Sequence, residues 1–152
     1  MRKKGLLILF FCTIFFNCCE GYDIDNITID NQSNDSIYSV LSLNDEIFDY
    51  NKFLTKERLD KGEKLSKIDI TGLFISDVIL PKTENQDSGR PREWKRYINS
   101  GVDKKMRLFI IKKDSVNKYG WKQIHQNKIY NKKYLLTLDD LENNQWRITY
   151  TN

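Results

Sequence analysis

Past residue 19 the chain has no cysteine; its three thiols are Cys12, Cys18 and Cys19. The region from Glu20 onward therefore forms no disulfide and no thiolate metal site, and whatever folds there stands on its apolar core. Histidine occurs once, as His125, which excludes a histidine pair for a metal. Only two prolines are present, and no repeat or low-complexity tract appears. No apolar run reaches the roughly 20 residues that a membrane-spanning helix needs. Asp87 to Gly89 reads Asp-Ser-Gly, without the Gly-x-Ser-x-Gly turn that exposes a serine nucleophile. No glycine-rich phosphate loop is present either.

A strong excess of one charge is missing as well. Lys and Arg number 25 against 21 acids, a net charge of +4; setting Arg2, Lys3 and Lys4 aside leaves 22 against 21. Such a balance does not provide the basic field that nucleic acid requires. What is present is globular in kind: 152 residues with 12% aromatics and 30% charged residues, one domain's worth of chain with rings enough for a core.

The N-terminal segment reads as an export signal. Arg2, Lys3 and Lys4 precede an eleven-residue apolar run, Leu6 to Phe16, which fits a signal-peptide h-region and is too short to span a bilayer. Directly after it stand Asn17, Cys18 and Cys19. A cysteine at that junction resembles the lipobox of bacterial lipoproteins. The resemblance implies cleavage before the cysteine, lipid on its thiol and acylation of the new amino terminus. A small residue usually precedes that cysteine; here Asn17 precedes Cys18, and Cys18 precedes Cys19. Cys18 is the expected lipidated residue, with Cys19 as the alternative. The expected organisation is a signal peptide over 1–17, a lipidated tether over 18–25 and one β-rich domain over 26–152. A single acyl chain anchors weakly and several anchor stably.

Along the domain, residues 26–31 alternate Ile27 and Ile29 with polar neighbours, and residues 36–44 are rich in strand formers. With the turn cluster 31–36 between them they predict a β-hairpin. Residues 45–66 are open between an exposed loop and a helical turn from Thr55 ended by Gly62. Residues 66–81 predict one or two strands with a bend at Gly72 and a stop at Pro81, and residues 82–91 a polar loop. Pro91 opens a helix on which Trp94, Tyr97 and Ile98 share one stripe. Residues 106–113 predict a central strand. Residues 114–127 predict a helix capped by Asp114 or Ser115 and broken near Gly120. A strand over 134–138, a turn capped by Thr137, and a last strand with Trp146, Ile148 and Tyr150 on one face complete the domain. The fold expected is mainly β, an antiparallel sandwich with short helical connections. The alternative is an α+β layer with helices on one sheet face.

The C-terminal third carries Trp121 and Ile124, then Lys133, Tyr134, Leu136, Thr137, Asp140 and Leu141, then Trp146, Ile148 and Tyr150. This Lys-Tyr-x-Leu-Thr-x-x-Asp-Leu stretch, followed by Trp-x-Ile-x-Tyr, resembles a family of small uncharacterised lipoproteins of Bacteroidetes bacteria. The resemblance implies a lipoprotein of the bacterial cell envelope, lipid-anchored at the outer membrane, and no known activity.

Candidate chemistry is sparse. His125 has no nucleophile or second ligand near it in sequence. Asp139, Asp140 and Glu142 lack the order of a calcium loop, and read as charges favourable at a helix start. They would also be the carboxylates of an alternative reading, a small envelope hydrolase. Arg90, Arg92, Trp94, Lys95 and Arg96 form the most basic and aromatic cluster, suited to an anionic glycan or lipid headgroup. The expectation is a non-catalytic binding or structural domain without metal or cofactor. Its partners are the membrane through the anchor and an envelope protein or glycan, and not nucleic acid.

Overall fold

The computed structural model describes residues 26–51, 53, 54, 56, 61, 74–87 and 91–152. The expected signal, Cys18, Cys19, the tether, Thr55, Gly62, Gly72 and Arg90 lie outside the described residues.

The first strand, β1 (Ile27–Asn31), is followed by β2 (Ile37–Ser42), β3 (Phe74–Ile75) and β4 (Thr83–Asp87). Helix α1 (Pro91–Ser100), β5 (Met106–Lys112) and α2 (Lys113–Asn127) come next. Then β6 (Lys132–Leu136), α3 (Leu138–Asn143) and β7 (Arg147–Tyr150) close the chain. The strands form two sheets, one in the order β4-β1-β7 and one in the order β3-β2-β5-β6. Among the described residues every strand pairing is antiparallel except β1 with β7, which is parallel. Strand and helix contribute about equally among the described residues. Among the described residues the structure is a mixed fold of two small, antiparallel-rich sheets and the three helices named above, with antiparallel pairing as expected in all but one strand pair and more helix than a mainly-β fold has.

The larger sheet works on both faces because side chains alternate along a strand. Met106, Leu108 and Ile110 of β5 enter a first core with Ile37 and Leu41 of β2. Ile27 and Ile29 of β1, Trp94 and Ile98 of α1, Leu141 of α3, and Trp146, Ile148 and Tyr150 enter the same core. Phe109 and Ile111, on the opposite face, pack with Val40, Ile47, Phe48 and Ile124 of α2 in a second core. Residues 106–112 are thus the central strand that their apolar run predicts, flanked by β2 and β6.

The predicted hairpin does not form. β1 and β2 lie in different sheets, and residues 31–37 cross between them. The reason is Asn31, which continues the row of Ile27 and Ile29 into the interior and is fully buried. Its Nδ2 donates to the carbonyls of Asp35 at 2.8 Å, Leu80 at 3.0 Å and Ile79 at 3.3 Å. Its Oδ1 accepts from Ser33 Oγ at 2.6 Å and Ser33 N at 3.1 Å. Residues 79–83 make the return crossing from the larger sheet to β4. Ile37 and Ile79 exchange backbone hydrogen bonds of 3.0 and 2.8 Å beside it.

The predicted loop 82–91 is also corrected. Thr83–Asp87 is an edge strand paired with β1 from Asn31↔Thr83 to Ile27↔Asp87. Its polar sequence lacks a strand pattern because an edge strand needs only backbone pairing. Helix α2 begins at Lys113, one residue before the predicted cap, and its N-cap Lys112 has no side-chain cap bond. The Lys113 N–H instead meets Ser36 O at 2.8 Å. A helical turn stands already at Tyr50, where Phe53 N donates to Asp49 O at 3.0 Å. Thr137 caps α3 as predicted, in a reciprocal box with Asp140. No helix among the described residues is long and apolar enough to cross a membrane.

Gly120 breaks α2 with φ 71° and ψ 158°, a region that is in practice open only to glycine. A Cβ there would meet nothing within 4 Å, so its cost is purely conformational. Gly120→Ala should lower stability by about 1–3 kcal/mol in urea unfolding. An unchanged midpoint would show that the kink is not fixed.

Candidate functional site

Helix α1 divides its aromatic and basic residues. The Trp94 side chain is buried, 2% exposed, and Ile98 is fully buried beside it. Tyr97 meets Trp94 edge-on at 5.8 Å, and burial raises its phenol pKa. The ring expected to stack on a ligand therefore belongs to the core. Lys95 pairs with Glu142 of α3 at 2.9 Å, and Arg96 is exposed. Arg92 lies in the first turn of α1. Lys95 and Arg96 are exposed on the same helix whose Trp94 ring is buried.

The α3 carboxylates are placed by the helix itself. Asp140 Oδ2 accepts from Thr137 N at 2.8 Å and Thr137 Oγ1 at 2.7 Å, and the backbone bond, acting first, lowers its pKa. Glu142 holds Lys95, and Asp139 is exposed. His125 is half-buried in α2, stacked on Tyr50 at 5.2 Å and 18° and tilted against Phe48 at 5.2 Å. Its Nδ1 is buried without a hydrogen-bond partner. Trp121 lies in the same ring cluster, 5.7 Å from Phe48 and 5.1 Å from Tyr38. Among the described residues no three His, Cys, Asp or Glu side chains converge as metal ligands.

A polar cleft of about 320 Å³ lies where the two crossings meet the start of α2. Residues 34–36, Pro81, residues 112–114 and Asn117 line it. Its floor is tied together. Lys112 Nζ meets Asp35 Oδ2 at 2.7 Å, each side chain about one-third exposed, and Asn31 holds the Asp35 carbonyl. The hydrogen bond from Lys112 is the main cause that holds the Asp35 carboxyl below its ordinary value. The same bond raises the Lys112 ammonium above its own. Around this floor Asn34, Ser36, Lys113, Asp114 and Asn117 have side chains without a hydrogen-bond partner among the described residues.

Sequence reasoning placed 31–36 as a turn and Asp114 as a cap, and missed that they meet. The available signal was the row Ile27, Ile29, Asn31, which turns a carboxamide inward at the strand end. No protein-family model, curated protein or solved structure matches the chain.

The ion pair predicts a pH signature. A depressed carboxyl contributes stability above its ordinary 3.8, and that contribution is lost as pH falls through its lower folded value. A raised ammonium contributes below its ordinary 10.5 and loses this as pH rises through its higher folded value. In a carboxyl NMR titration Asp35 should have a midpoint below 3.8, and Lys112→Gln should move it upward. A midpoint unaffected by that substitution would contradict the pairing.

Proposed function

We propose that the chain is an envelope lipoprotein, anchored through lipid on Cys18 with Cys19 as the alternative, whose domain binds or supports an envelope partner without catalysis. One observation carries the reading: the basic Arg2-Lys3-Lys4, the eleven-residue apolar run and the cysteine directly after it. A cysteine-free domain agrees with it. β1 starts at Ile27, so an anchor at Cys18 leaves nine residue steps, a reach of at most about 30 Å. A domain so tethered works close to its membrane.

Non-catalytic action is supported by the use of the acids of α3 in capping and ion pairing. The placement of His125 among rings supports it as well. In this reading the two sheets form a sandwich-like scaffold, supported by β1 and β7 sending Ile27, Ile29, Ile148 and Tyr150 into the core that β2 and β5 fill. The resemblance to Bacteroidetes lipoproteins favours the outer membrane.

Intact mass of the protein purified from membranes tests this, beside Cys18→Ala and Cys19→Ala. The mature chain should lack residues 1–17 and carry added acyl mass, abolished by Cys18→Ala and retained in Cys19→Ala. Loss in Cys19→Ala alone would move the anchor by one residue. A mature chain without acyl mass would overturn the lipoprotein reading.

A further inference from the structure

We infer that the cleft between the 34–36 turn, Pro81 and the start of α2 binds a neutral sugar unit. The first argument is chemical. The unpartnered side chains around it supply one hydroxyl (Ser36), two carboxamides (Asn34, Asn117), one ammonium (Lys113) and one carboxylate (Asp114). Carboxamides and hydroxyls both donate and accept, and so does each hydroxyl of a sugar. The lining carries two cations, Lys112 and Lys113, and two acids, Asp35 and Asp114; Lys112 pairs with Asp35 and also feels Asp114, and Asp35 is bonded by the Asn152 side chain as well. An ionic ligand would meet an opposing charge of equal number. An apolar ligand would find Pro81 alone and would strip water from the polar groups at a cost.

The second argument is size and rigidity. About 320 Å³ lies at the lower end of the range for small-molecule pockets, room for a small ligand. The walls come from three segments already tied by Asn31, the Asp35–Lys112 pair and the Lys113–Ser36 backbone bond, so little ordering is left for binding to bring about.

The third argument is position, and this part rests on the anchored reading above. The tether joins β1 at Ile27, and the cleft lies just past Asn31 at its other end, about 13 Å along the strand. The cleft is thus at the opposite end of β1 from the point where the tether joins, which leaves it clear of that attachment for a glycan of the envelope. Sugar binding itself does not require the anchor.

The test uses the ¹⁵N-labelled full chain in detergent micelles, titrated with maltose, cellobiose and N-acetylglucosamine while amide NMR signals are followed. At least one sugar should shift the backbone amides of Asn34, Ser36 and Asn117 and the two Asn side-chain amides, saturably. Asn117→Ala, on an exposed helix surface, should weaken that binding about tenfold with an unchanged urea midpoint. Shifts absent with every sugar, or surviving Asn117→Ala and Asn34→Ala undiminished, would overturn the proposal. Response of the same amides to inorganic phosphate or glycine, with none to sugars, would overturn it in favour of a charged ligand. The mass measurement reports on the anchor separately. A lipidated chain that ignores sugars sinks only the cleft, and an unlipidated chain that binds them sinks only its link to the membrane.

Discussion

The Asn31 carboxamide is the interaction on which the rest of this molecule depends. It is fully buried at the end of β1, and it bonds three backbone carbonyls and both donors of Ser33. Each such bond contributes on the order of 1 kcal/mol net, but a buried group left without its partner costs about 1–3 kcal/mol. The carbonyls of Asp35, Ile79 and Leu80 belong to the two stretches that carry the chain from one sheet to the other. One side chain therefore fixes both crossings, and with them the registers of β1 with β4 and of Ile37 with Ile79.

From that corner the layers follow. β2 leaves it with Ile37 and Leu41 facing the first core and Val40 facing the second. β5, buried on both faces, divides the two cores, and α2 folds back across the second. The start of α2 is held at the same corner by the Lys113–Ser36 backbone bond, with no side-chain cap. The cleft is the surface consequence of this convergence. Segments that meet for reasons of packing leave their outward polar side chains, Asn34, Lys113, Asp114 and Asn117, grouped around one opening.

Much of the local structure was legible because it is local. Trp94 and Ile98 at helical spacing, Thr137 three residues before Asp140, Gly120 within a helix, and Trp146, Ile148 and Tyr150 in alternation each carry their own signature, and each stands where expected. What was not legible depends on distant chain. Thr83–Asp87 has no apolar residue and is a strand only because β1 offers an edge. β1 and β7 pair in parallel across more than a hundred residues. Asn31 was legible as a turn residue; that it reaches Ile79 and Leu80, 48 and 49 positions on, was not. The cleft is invisible for the same reason, since Asp35 and Lys112 each look like solvated charges until the fold sets them 2.7 Å apart. The proposed anchor is the reverse case, carried by the sequence alone.

A two-sheet frame is pinned at one corner, and a polar cleft opens at that corner. Asn31 couples the two crossings that meet there. Amide hydrogen exchange in Asn31→Ala tests this most directly. The Ile37 and Ile79 amides, which bond each other's carbonyls, should exchange together at least about tenfold faster than in the native chain. The β5 amides that face β6 should remain protected. Unchanged protection at Ile37 and Ile79, or acceleration at only one of them, would contradict the coupling.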